Sequence, residues 1–150
     1  MASLRMLGAK YGMYDPKDWK AVFYCDHILD AWVDIHDKTN GIVLDQESSQ
    51  EQKGEKLQEV IEKNHIPLLK VMEDQLEKLG GPFITGPKLT IADCAMVAVL
   101  ANIWENPAGP WTEAFNPVLE NYPKVQAYNL KLREAFADRL NDPERKAMPL

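Results

Sequence analysis

The chain has 150 residues, a formal net charge of −6 and two cysteines. A chain of this length suits one domain that buries about 70% of the surface its unfolded form exposes. The acidic balance excludes the electrostatic footprint of a nonspecific nucleic-acid binder, and it gives no attraction to an anionic membrane surface. Residues 1–12 are short and amphipathic, without the long apolar core of a secretory signal. Cys25 and Cys94 fall on apolar faces of expected helices with no metal-ligand spacing around them. They read as reduced, buried thiols, which fits a soluble protein of the cytoplasm.

Taken in order, the pattern predicts five to six helices and an all-α fold. A short helix covers about residues 2–11. Asp15-Pro16 then opens a long helix to about His36, since proline suits a first helical turn. Residues 37–52 read as a polar loop pinned by Ile42, Val43 and Leu44. The next helix, about residues 53–79, keeps a 3.6-residue apolar period through Leu57, Ile61, Leu68, Met72 and Leu76. Pro67 inside it removes one backbone donor and should kink it.

Residues 80–93 combine a helix stop, a tight turn and a helix start. Gly80 and Gly81 accept the left-handed backbone of a helix end, and Pro82 and Pro87 forbid helix through the turn. Thr90 stands three residues before Asp93, ahead of the apolar run IADCAMVAVLANIW. That is a capping box with Asp at its third helical position, and Asp93 also meets the positive end of the helix dipole. The helix it opens, about residues 91–104, is apolar on every face and too short for a bilayer, which needs about 20 residues. It reads as the buried central helix of a bundle, with Trp104 and Trp111 in the core. Residues 106–117 read as irregular, residues 123–139 as the last helix and residues 141–150 as a charged tail.

The turn GPFITGPKLTIAD and its all-apolar helix resemble the motif region of the C-terminal helical domain of glutathione S-transferases. Residues 3–12 resemble the end of the last helix of that family's thioredoxin-like domain. WKAVFYCDHILDAWVDI resembles the first long helix of the C-terminal domain, with a sigma-like character, and YPKVQAY resembles the opening of the penultimate helix. The resemblance implies a division into residues 1–12, a remnant of the thioredoxin-like part, and residues 13–150, the helical domain. It also implies that the half bearing the catalytic donor lies outside this sequence, so whether this chain is itself an enzyme stays open.

The candidate chemistry is sparse. Asp26, Asp30 and Asp34 form a row at i,i+4 spacing, where like charges repel by a few tenths of a kcal/mol per pair. Such a row is either a solvated face or one that meets a cation. The resemblance implies that Asp34 contacts the amino group of glutathione across a dimer. It implies that Arg5, Asp26 and Asp30 belong to the dimer interface, Arg5 meeting an acid of the facing subunit. Tyr11, Met13 and His36 match positions lining the hydrophobic-substrate pocket, although domain packing and the helix dipole account for them equally. Val33 replaces a carboxylate of the family's cation cluster, so no metal site is expected.

No nucleophile–base pair, phosphate loop or zinc spacing occurs, and no catalytic residue is assigned. No cofactor is expected beyond glutathione as co-substrate when a thioredoxin-like half is present. Two roles follow. One is a substrate pocket and dimer interface for glutathione conjugation. The other is a non-catalytic interaction or structural subunit of a larger assembly. In both, a thioredoxin-like domain or another protein should cover the apolar amino end, and the partners are a second copy or an assembly, not nucleic acid or membrane.

Overall fold

The computed structural model describes residues 1–100, 104 and 112–142. Among the described residues there are eight α-helices and one π-helical turn: α1 (Ala2–Lys10), α2 (Trp19–Leu44), α3 (Gln50–Val60), the π turn (Ile61–His65), α4 (Ile66–Leu79), α5 (Ile91–Val99), α6 (Thr112–Leu119), α7 (Pro123–Ala135) and α8 (Ala137–Leu140). The fold is all-α among the described residues, with more helices than the five to six expected. A single isolated bridge, Phe83 with Gly86, is the only extended pairing described.

α2 is longer than expected and starts later. Asp15 accepts from the Lys17 N–H at 2.9 Å, which makes residues 15–18 a turn rather than a first helical turn. Asp18 then caps the helix by accepting from the Ala21 N–H at 3.1 Å. The expected loop after His36 is helix as far as Leu44. Its polar residues hide a core stripe, because Ile35, Thr39 and Ile42 share one buried face. The Thr39 hydroxyl donates back to the Ile35 carbonyl at 2.9 Å, so burial of that threonine leaves no orphaned hydroxyl.

α3 also begins before the expected position. Ser49 and Gln52 form a reciprocal capping box, with bonds of 2.9 and 3.2 Å. Pro67 does not kink a continuous helix. It follows the π turn, in which the Ile66 N–H reaches back five residues to the Ile61 carbonyl. Proline brings no N–H to the next rung of the ladder, and the wider turn absorbs the missing bond.

α5 lies at the centre. Ile91, Ala92, Met96, Val99 and Leu100 are buried against α2 residues Cys25, Ile28 and Leu29 and α7 residues Val125, Tyr128 and Leu132. Its burial is less complete than an all-apolar sequence suggests, since Ala98 is exposed and Cys94 and Ala95 are half-buried. Gly80 ends α4 with φ +57°, the left-handed conformation foreseen for it. α6 occupies part of the stretch expected to be irregular, with Pro117 inside it and Phe115 fully buried. Trp104 is buried as expected; Trp111 lies outside the described residues.

Candidate functional site

The most completely built polar site is the start of α5. The Thr90–Asp93 capping box forms, and Asp93 is 0% exposed. Its Oδ2 accepts from the Thr90 N–H at 2.7 Å and from the Thr90 hydroxyl at 2.8 Å. Its Oδ1 accepts from the Ile84 N–H at 3.0 Å and from the Tyr128 hydroxyl at 2.8 Å. One carboxylate thus joins the turn, α5 and α7. Gln75 of α4 completes the arrangement by donating to the Ile84 carbonyl at 2.6 Å.

Burial raises the Asp93 pKa despite its donors, and it pushes the Tyr128 hydroxyl well above its ordinary value. All four acceptor positions are taken by the protein itself, so this site holds structure and has no position left for a substrate. The box was legible from its spacing. Gln75 and Tyr128 were not, although the apolar spacing Val125–Tyr128–Leu132 marks Tyr128 as inward-facing.

The second cluster joins α1 to α2. Arg5 donates to Asp26 at 3.0 Å and to Asp30 at 3.2 Å, and the Tyr14 hydroxyl donates to the other Asp26 oxygen at 2.9 Å. The hydrogen bond to Asp26 raises the Arg5 pKa further, while burial and then the Asp26 hydrogen bond raise that of Tyr14. The pairing expected across a two-fold axis is made here within one chain. α1 is held against α5 as well: the Ile91 N–H donates to the Met13 carbonyl at 3.2 Å. A Cβ on Gly8 would run into the side chains of Ile91 and Tyr14, so glycine permits this crossing.

The remaining predicted residues are spread out. Asp34 is exposed and lines a cleft of about 250 Å³ between α2 and α4. Tyr11 is 64% exposed at the end of α1, with the Lys10 ammonium 5.3 Å from its ring centre. Met13 is half-buried, and its sulfur accepts from the Cys94 thiol at 3.9 Å. His36 stands apart from both, beside Asn40 at 3.1 Å, Asp37 at 3.7 Å and the Trp32 ring at 5.9 Å. Burial raises the Cys25 thiol to about 11 and also raises that of Cys94, so neither is a thiolate at neutral pH. Among the described residues no group of three potential ligands could hold a metal ion, and no helix is long and apolar enough to cross a membrane.

Sequence reasoning also missed His65. It is 0% exposed at the end of the π turn, 4.5 Å from the Phe115 ring, 5.8 Å from Trp104 and 6.1 Å from Trp32. Neither ring nitrogen has a hydrogen-bond partner among the described residues, and burial lowers its pKa to about 4. A buried histidine set among aromatic rings is kept neutral by desolvation alone.

An all-α bundle whose central helix is opened by a buried Thr–Asp box defines a class of helical domains. The sequence pattern of the family described as "Glutathione S-transferase, C-terminal domain" matches residues 33–137. The chain belongs to that family. The match contains Asp34, His36, Thr90 and Asp93, whereas Arg5, Tyr11, Met13, Asp26 and Asp30 precede it. No curated protein and no solved structure matches the chain.

Proposed function

We propose that this helical domain works with a thioredoxin-like half to conjugate glutathione to electrophiles, supplying the hydrophobic-substrate pocket and part of a dimer interface. The observation that carries this reading is the uncovered apolar edge of α1. Met6 and Tyr11 are each 64% exposed and Leu7 is 45% exposed, on a helix otherwise fixed to α2 and α5. An apolar edge of that kind calls for a covering surface. In this arrangement Tyr11 and Met13 line the substrate side, His36 borders it, and Asp34 faces the amino group of a glutathione held by a second subunit.

The test is to express the chain with and without a thioredoxin-like half and to follow glutathione conjugation of an aromatic chloride. The chain by itself should be inactive, the pair active, and Asp34→Asn should raise the KM for glutathione more than it lowers kcat. A pair that assembles without activity would reject the reading.

A second reading is favoured by one observation. Arg5 is already committed to Asp26 and Asp30 of its own chain, so the arginine that a transferase dimer would offer to the facing subunit is used internally. In that reading the domain is a non-catalytic subunit of a larger assembly.

A further inference from the structure

Four rings meet where the π turn, α2 and α6 converge, and one of them can take up a proton. His65, at the end of the π turn, lies 4.5 Å from Phe115 of α6, 5.8 Å from Trp104 and 6.1 Å from Trp32 of α2. His65, Trp104 and Phe115 are each 0% exposed. Neither His65 nitrogen nor the Trp104 indole N–H has a hydrogen-bond partner among the described residues. An imidazolium brings a charge and two N–H donors, and the box meets neither. Attraction to the ring faces offsets part of that cost, but burial prevails and lowers the His65 pKa to about 4.

Among the described side chains no charge compensates His65 from within the box. On α2, His36 is half-buried with its ring 5.9 Å from Trp32 and 3.7 Å from Asp37, while Asp34 and Asp37 are exposed. On the π turn and α4, Glu62, Lys63 and Lys70 are exposed, and so is Glu120 just after α6. Of the elements around the box, α6 is the one least able to resist. α2 runs for 26 residues and α4 for 14, each with several residues in the core. α6 has eight, with Pro117 inside it, and helices shorter than about 12 residues are marginal without packing. Its carboxy-terminal end is tied to α7, since Gln126 Nε2 and the Tyr122 N–H both donate to the Leu119 carbonyl at 3.0 Å. Residues 119–122 are therefore the hinge, and Phe115 seats the helix.

We propose that His65 is a proton-operated latch: charging its ring unseats Phe115 and swings α6 outward about residues 119–122. The movement widens the cleft of about 410 Å³ between α5, α6 and α7, which Leu100, Leu119 and Val125 help to line. The latch belongs to the helical domain and holds under either reading of its function.

Amide exchange of the full chain between about pH 7 and 4.5, corrected for the intrinsic exchange rate, tests it. Opening returns the ring from about 4 to its ordinary 6.5, so the open fraction should rise roughly tenfold per pH unit below 6.5. Protection of α6 should fall by that factor and stay below that of α5 and α7 throughout. His65→Phe, which has no proton to gain, should abolish the dependence, and His65→Gln replaces it if the larger ring prevents folding. His36→Gln, which removes the other titrating ring beside Trp32, should keep it. The proposal is overturned if α6 exchanges only together with α5. It is overturned equally if the dependence survives loss of the His65 ring or disappears with His36→Gln.

Discussion

Two sets of aspartates sit on neighbouring helices and do opposite things. Asp93 is sealed inside, with its donors coming from the turn, its own helix and α7. Asp30 and Asp34 stand in solvent; Arg5 reaches Asp30 with one of its nitrogens, and Asp34 shares the lining of its cleft with Lys38 and Lys63. The same side chain is thus a structural clamp where water is excluded and a surface charge where it is not. Coulomb attraction and hydrogen bonding are strong in the first setting and screened in the second. The first set is built into the fold; the second lies on its solvent-exposed surface.

The largest way to break that contrast is Asp93→Ala. It leaves the Ile84 and Thr90 N–H groups and the Tyr128 hydroxyl without their acceptor. Removing one member of a buried charged network costs roughly 3–5 kcal/mol, and the urea midpoint should fall accordingly. A midpoint within error of the parent chain would show that the clamp is dispensable.

Acid should be the next largest perturbation, and His65 gives its sign. Its pKa is depressed from 6.5 to about 4 in the fold, so the unfolded chain binds the extra proton. Stability from this group is complete above about 6.5 and is lost as pH falls toward 4, a change of about 3 kcal/mol at most. Burial raises Asp93 instead. Its contribution is fully present below the unfolded carboxylate value and is lost as pH rises through the folded one. His65→Leu should flatten the decline between pH 6.5 and 4 in a pH series of denaturation midpoints. An unchanged slope would mean that His65 is not the group being titrated.

Thr90→Ala should cost about 1 kcal/mol, since it removes the hydroxyl of the cap and leaves the backbone bond to Asp93 in place. Amide exchange in the first turn of α5 would report the loss most directly. The smallest effect is expected at the exposed acids and their cation. Arg5→Ala should cost less than about 1 kcal/mol, because its ion pairs are half-exposed and screened. Asp34→Asn should leave the melting temperature where it was. A large loss at either position would mean that the α2 face is structural, and the contrast with Asp93 would collapse.

What could be read in advance follows the range of the forces involved. The Thr90–Asp93 box and the Gly80 stop are decided within one turn of chain. Backbone φ and an i,i+3 side-chain reach are local properties. The carboxy-terminal third of α2 escaped notice because Asp37, Lys38 and Asn40 mask a core stripe that only the packing of Thr39 and Ile42 reveals. α6 went unseen for a similar reason, as burial of Phe115 and Leu119 overrides a proline inside a short helix. The candidate site divides along the same line.

The sequence by itself determined that this is an all-α domain with a buried central helix, where that helix begins, and where the acids lie along α2. Tertiary structure decided which of those acids became a clamp. Tyr128 and the Ile84 N–H reach Asp93 from distant parts of the chain, and Arg5 closes on Asp26 and Asp30 from 21 and 25 residues away. Contacts over such separations depend on how the helices pack, because no local propensity can bring a donor across a bundle to a carboxylate on another helix.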